Sequence, residues 1–231
     1  DARRVAAHRA LTPLPEHEAR HAMRRWLWAR GFRDFGDGLV AVLLPAWFLA
    51  LGYGAAEIGA VSTVALLGSA LMTLGIGLLG ARADPRVLLL LAAALMAATG
   101  LGFVFATGLG MLMAIALVGT INPSAGSVSI FAPLEQTMLT RAARDGTRTA
   151  VFARYSFVGS FAAAGGALAA GGADGLKALG LGELPAFRSA FLLYAVLGLA
   201  CWLAYRALPR LAPEARKAAH APLGPSRGIV L

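Results

Sequence analysis

Charge is what this sequence has least of. Asp, Glu, Lys and Arg supply 14% of its residues, where water-soluble domains carry about a quarter. Cysteine is scarcer still. Cys201 stands alone inside an apolar stretch, which excludes an intrachain disulfide and says little about redox compartment. The four histidines, His8, His17, His21 and His220, all fall outside the apolar stretches. The apolar stretches therefore carry no HExxH zinc pair, the His17-Glu18-Ala19-Arg20-His21 run falling in the N-terminal arm, and no Ser–His pair is available within a membrane for acyl chemistry. The acid-rich signature of lipid-head-group transferases is also missing, because Asp37-Gly38 and Asp174-Gly175 lack the downstream arginine and aspartates. An enzyme is not expected, nor is any catalytic residue, metal ligand or cofactor. Residues 1–30 have no continuous apolar core, so they do not read as a signal peptide.

Apolar residues are present in excess, 58% of the chain, with a mean hydropathy of +0.68. They come in long blocks with short charged punctuation. About 20 mostly apolar residues cross the roughly 30 Å hydrocarbon core of a bilayer as a helix. Six blocks reach that length, near 35–53, 56–81, 87–107, 109–134, 149–171 and 187–208. Alanine and leucine dominate them, and no alternation of polar with apolar residues suggests a barrel strand. Helices are then the way to satisfy the backbone in lipid. Small residues at Gly68, Gly75, Gly77 and Gly80, and at Gly159, Gly165, Gly166 and Gly171, suit close helix packing. The expected fold is an all-α integral membrane bundle of six transmembrane helices.

The net charge of +9 invites a nucleic-acid reading, but no basic stripe interleaves with aromatic residues. The basic residues instead sit at block ends. With the N-terminus in the cytoplasm, nineteen of the twenty-one lysines and arginines fall on the inside, and only Lys177 and Arg188 fall outside. That asymmetry places both termini in the cytoplasm. Three regions follow. Residues 1–33 form a basic arm, in which Pro15, Glu16 and Glu18 suit a helix start and Trp26 and Trp28 suit an interfacial anchor. Residues 34–208 form the bundle, and 209–231 form a proline-containing cytoplasmic linker. The chain opens on Asp and closes on Gly228-Ile229-Val230-Leu231, which reads as the start of another apolar block. Continuation into further spans is expected.

Ionisable groups within spans are costly and so informative. Arg33, Asp34 and Asp37 open the first block; Arg30–Asp34 and Arg33–Asp37 are spaced four apart and can pair along one helix face. Glu135 closes the fourth block and Arg154 lies just inside the fifth. Asp37, Glu135 and Arg154 share a depth near the cytoplasmic face, where they could form a gate or proton-linked ion-pair network. The plainer alternative is a set of interfacial charges that reach out to water and pin the helices. Asn122-Pro123-Ser124 sits mid-membrane with Ser127 and Ser129 beyond it. Asn122, Ser124 and Ser127 are candidate lining for a solute path, or else the polar face of a kinked packing helix.

The loop after the second block reads Gly80-Ala81-Arg82-Ala83-Asp84-Pro85-Arg86. It resembles the cytoplasmic loop signature of the major facilitator superfamily at Gly80, Asp84 and Arg86, without that signature's second glycine and further basic residue. Six spans followed by a cytoplasmic linker also resemble one half of that family's twelve-helix fold. The resemblance implies secondary transport of a small solute by alternating access, with proton coupling a fitting drive and the first, second, fourth and fifth spans lining the path. It further implies a second six-helix half in the same polypeptide, a lipid bilayer as surroundings, and a bacterial inner membrane as location. Two departures stand out. No arginine lies between Leu109 and Leu134, and the glycine pattern from Gly159 to Leu168 lacks the antiporter proline. Both argue against drug–proton antiport and leave the substrate open. The rival reading is a stand-alone six-helix scaffold that binds partners and transports nothing.

Overall fold

The computed structural model describes residues 16–79, 84–121, 130–142 and 148–208. Among these residues every regular element is a helix: α1 (Glu16–Ala50), α2 (Ala55–Leu79), α3 (Pro85–Phe105), α4 (Leu109–Val118), α5 (Phe131–Ala142), α6 (Arg148–Ala169), α7 (Gly172–Ala178) and α8 (Glu183–Arg206). Four stretches are long and apolar enough to cross a membrane: Ala55–Gly77, Pro85–Phe105, Thr149–Ala178 and Glu183–Arg206. They correspond to the second, third, fifth and sixth apolar blocks.

The remaining two blocks take forms that block length alone does not predict. The first lies within α1, a 35-residue helix that runs without interruption from the basic arm through Arg33 and Asp34. The fourth is not one continuous helix. Its first helix, α4, stops at Val118, Gly119 turns extended, and the next described helix begins at Phe131. The cause is legible locally. In a continuing helix the Gly119 carbonyl would accept from residue 123, which is a proline with no N–H to give. Glycine at 119 adds its own preference for leaving the helix.

Helix ends follow their side chains. α1 closes on Gly52, whose φ of +87° suits glycine alone. Tyr53 N–H donates to Phe48 O (3.0 Å) and Gly52 N–H to Leu49 O (2.9 Å), while the Tyr53 ring packs on Phe48. This is a Schellman closure with its apolar contact. At the start of α2, Glu57 Oε2 accepts from the Gly54 N–H at 2.9 Å, one half of a capping box.

α1 is the hub. It packs on α6 along one side and on α8 along another; α3 also packs on α8, and α2 pairs with α4. The α1–α6 crossing is set by glycines. A β-carbon at Gly38 would overlap the Ala163 carbonyl, and one at Gly166 would overlap the Phe35 carbonyl. Backbone-to-backbone approach of this kind supplies the van der Waals contact that joins helices in lipid, where apolar burial gives little. Farther along, Trp47 meets Phe187 and Phe191 edge-on at 6.1 and 5.6 Å, and Phe191 stacks on Phe103 at 5.1 Å. These rings tie α1, α8 and α3 together.

The outer faces are apolar. Leu67 and Leu71 on α2, Phe105 on α3, Phe161 on α6 and Leu199 on α8 are exposed. No more than 39% of any candidate span is buried within the protein. A water-soluble protein rarely exposes so much contiguous apolar surface; a lipid-embedded one must.

Candidate functional site

Basic side chains gather where α1, α3, α5, α6 and α8 come together at one end of the bundle. There Asp84 caps α3: its Oδ1 accepts from the Arg86 N–H at 3.0 Å, with Pro85 in the first turn. The Arg86 guanidinium crosses to the C-terminus of α8. It donates to the Tyr205 carbonyl at 3.4 Å and to the Arg206 carbonyl, while Arg25 from α1 donates to the Ala207 carbonyl. Two cations thus reach the Arg206 and Ala207 carbonyls at the helix end, add to the Leu208 N–H bond on the Tyr205 carbonyl, and face the negative end of the helix dipole. Asp84 and Arg86 of the loop motif therefore anchor α3 to α8. Gly80 lies outside the described residues.

Inside this end sits a buried polar network. Arg33 is 1% exposed and Glu135 0%. Arg33 Nη1 donates to Glu135 Oε2 at 2.8 Å, and Arg33 Nη2 and Nε donate to Asp34 Oδ1 at 2.9 and 3.1 Å. Arg30 Nε lies 2.6 Å from Asp34 Oδ2, an ion pair by distance whose N–H is not aimed at the oxygen. Arg30 Nη1 donates to Tyr155 OH at 3.0 Å. Glu135 completes its coordination with hydroxyl donors from Tyr155 on α6 and Tyr205 on α8. Both guanidiniums also lie over rings, Arg30 over Tyr155 at 4.4 Å and Arg33 over Phe131 at 4.9 Å. Gly159 makes room for this arrangement, since a β-carbon there would meet Asp34 Oδ2 and Arg30 Nε.

The network ties four helices at one level: α1 through Arg30, Arg33 and Asp34, α5 through Glu135, α6 through Tyr155 and α8 through Tyr205. Buried charge is tolerated only when paired and hydrogen-bonded, and Glu135 has a partner from each of the other three helices. Such a joint is rigid while intact and costly to break at a single point.

Asp37, one turn deeper on α1, stands apart. It is 3% exposed, and among the described residues no cation lies within ion-pair distance of it. Its hydrogen bond is from the Tyr194 hydroxyl, at 3.4 Å. The local tally is two cations, Arg30 and Arg33, against three carboxylates, Asp34, Asp37 and Glu135; Asp37 is the unmatched one. Tyr194 in turn shares a 3.1 Å hydrogen bond with Thr120 Oγ1, at the break that ends α4.

Of the expected network, then, Asp37 and Glu135 are both buried at this end, though they are not in contact. Arg154 is not part of it. It is exposed on α6, because the neighbouring Tyr155 takes the inward position. Arg33 holds the place foreseen for Arg154. The expected Arg33–Asp37 pair is replaced by Arg33–Asp34 and Arg33–Glu135, whereas Arg30 and Asp34 do pair four apart. Asn122, Ser124 and Ser127 lie outside the described residues. The tyrosines were not foreseen. Their signal is the inward stripe of α8, where Phe187, Phe191, Tyr194, Gly198, Cys201 and Tyr205 are all buried; two polar tips on an otherwise apolar stripe need partners inside.

At the opposite end, a groove of about 440 Å³ lies between α1, α7 and α8, with Val42, Ala46, Ala173 and Phe187 on its walls. Lys177 at its rim pairs with Asp174 at 2.7 Å and Glu183 at 3.6 Å. All three groups already have partners, so the groove presents no open charge. Among the described residues no cluster of His, Cys, Asp or Glu is arranged to hold a metal.

The chain matches the family model described as Major Facilitator Superfamily over residues 27–230. It is also similar to an uncharacterized membrane protein of Saccharomyces cerevisiae, 29% identical over 173 residues, which cover 73% of this chain and 39% of the yeast protein. The chain thus spans about two fifths of that relative's length.

Proposed function

The chain belongs to the major facilitator superfamily, and from that premise we propose that it forms one half of a secondary transporter that moves a small solute across a membrane by alternating access, coupled to protons. Membership and apolar helices together make it a membrane transporter in general terms. The observation that carries the finer reading is the pairing of a closed joint with an unmatched carboxylate. The Arg33–Glu135–Tyr155–Tyr205 joint holds α1, α5, α6 and α8 at the basic end, which we assign to the cytoplasm by its arginines. Asp37 lies just beneath it, with no cation within ion-pair distance among the described residues. A buried carboxylate in a transporter is a natural place to take up and release a proton.

In this scheme the joint is intact when the cytoplasmic side is shut. Opening requires the helices it ties to separate, which exposes the Glu135 and Arg33 charges to water and so lowers the penalty for parting them. The apolar faces of the helices meet lipid and the second half of the polypeptide. A bacterial inner membrane, with its standing proton gradient, is the location we assign.

The test is reconstitution of the full-length protein in proton-tight vesicles containing a pH-sensitive dye. Amino acids, sugars, organic acids and organic cations are offered in turn. At least one class should be taken up with accompanying proton movement. Failure of every class to cross under any imposed gradient would leave a membrane scaffold as the better account.

A further inference from the structure

Asp37, Tyr194, Thr120 and Thr99 form a continuous hydrogen-bonded chain. Tyr194 donates to Asp37 Oδ1 at 3.4 Å, and the Tyr194 and Thr120 hydroxyls are 3.1 Å apart. The Thr120 backbone N–H donates to Thr99 Oγ1 at 3.3 Å, and the Thr99 hydroxyl donates to the Leu95 carbonyl at 2.7 Å. The chain begins at the unmatched carboxylate on α1, crosses α8 and ends at the α4 break. Thr120 is the second residue after that break, and its backbone N–H leaves the helical pattern to reach α3.

The surroundings are shaped for it. A β-carbon at Gly36 would stand 2.9 Å from both the Tyr194 ring and the Met96 methyl, and one at Gly119 would stand 2.8 Å from Thr99 Oγ1. Glycine at these two positions lets the tyrosine ring lie against α1 and lets Thr99 reach the Thr120 amide. The charged and titratable groups around Asp37 are Arg33 and Asp34 on its own helix and Tyr194 and Cys201 on α8, with Glu135, Tyr155 and Tyr205 beyond Arg33. α3 and α4 contribute threonines and apolar side chains. Tyr194 is therefore the group through which a change at Asp37 passes toward α4.

A hydroxyl chain of this kind has a direction set by its end. A carboxylate can only accept. With Asp37 ionised, the Tyr194 O–H is committed to it, and the Thr120 O–H must donate to the tyrosine oxygen. A carboxylic acid can donate. With a proton on Asp37 Oδ1, that O–H can donate to the tyrosine oxygen, the Tyr194 O–H turns to Thr120 Oγ1, and the Thr120 hydroxyl is released. One O–H bond forms, at Asp37, with a proton taken from water, two hydroxyls rotate, and no other covalent bond changes.

We infer that Tyr194 and Thr120 form a proton-responsive switch that reports the protonation of Asp37 to the break after α4. The inference rests on the assignment of Asp37 as the proton site, and both residues are positioning residues within it. Coupling reaches the end of α4 without movement of charge beyond Asp37, because past that carboxyl only hydroxyl orientation differs between the two states.

Infrared difference spectroscopy of the full-length protein in lipid vesicles, acid minus neutral, needs no substrate. The wild type should show a carboxyl C=O band together with a change in a tyrosine side-chain band. Asp37→Asn should remove both. Tyr194→Phe, which keeps the ring and its packing, should remove the tyrosine band and displace the carboxyl band. Thr120→Val, isosteric and remote from the carboxyl, should alter the tyrosine band while leaving the carboxyl band in place. A tyrosine band that persists in Tyr194→Phe, or that ignores Thr120→Val, overturns the switch and leaves Asp37 as the proton site. Carboxyl bands that are the same in Asp37→Asn as in the wild type overturn the proton-site assignment itself.

Discussion

Replacing Glu135 with glutamine removes one negative charge and almost no volume. The side chain accepts from Arg33 and Tyr155 at Oε2 and from Tyr205 at Oε1; the amide oxygen of glutamine can serve one tyrosine, and its N–H can donate to the hydroxyl oxygen of the other. Arg33 cannot be served as well, since its Nη1 then faces a neutral group and Asp34 remains its carboxylate partner. Breaking one side of a buried ion pair costs about 3–5 kcal/mol, because it leaves an uncompensated charge. Arg33→Met alone leaves the Glu135 carboxylate with two hydroxyl donors and Arg30 at the limit of ion-pair distance, 4.0 Å, and should cost a similar amount. The double variant Arg33→Met/Glu135→Gln is different. Both charges are gone, the amide keeps a hydrogen-bond partner for each tyrosine hydroxyl, and Asp34 keeps Arg30 at 2.6 Å. It should therefore be far more stable than the sum of the single variants predicts, with a coupling of at least about 2 kcal/mol. Cys201 provides the assay. It is buried, its S–H donates to the Ala29 carbonyl at 3.3 Å, and a fluorogenic thiol reagent reaches it only when α1 and α8 part. Thermal labelling curves in detergent should shift strongly downward for each single variant and recover in the double. Additive single effects, or no shift in Glu135→Gln, would refute the idea that this pair is a buried joint.

Other outcomes are expected from the same coordinates. Arg154→Ala should leave the labelling curve unchanged, because an exposed arginine contributes little. Gly166→Ala should lower it by about 1–3 kcal/mol, since the added methyl overlaps the Phe35 carbonyl and pushes α1 from α6. Cysteines placed at Gly54 and Gly108 should react with an impermeant reagent added outside intact cells, whereas one at Arg206 should react only after permeabilisation; the reverse pattern would invert the orientation.

Block length and helix conformation were legible because both depend on composition over twenty residues. The position of polar groups was only half legible. Spacing of four correctly paired Arg30 with Asp34, but the same spacing predicted Arg33 with Asp37. Sequence distance cannot reveal that Glu135, 102 residues away, competes for that guanidinium. Arg154 has the right depth and the wrong rotation: a helix turns by about 100° per residue, so a one-residue error in the inward face exchanges it for Tyr155. The break after Val118 was signalled by Gly119 and Pro123, yet hydropathy summed straight across it. Small residues predicted close packing in general, while the partners of Gly38 and Gly166 emerge only when α1 and α6 are brought together.

The central claim is that Asp37 links proton movement to solute movement. Once the vesicle screen identifies a transported solute, its uptake should be measured in wild type and Asp37→Asn under two conditions, an inward proton gradient and simple exchange with no gradient. The account predicts that Asp37→Asn loses gradient-driven accumulation while exchange continues. Accumulation at the wild-type level in Asp37→Asn would contradict it.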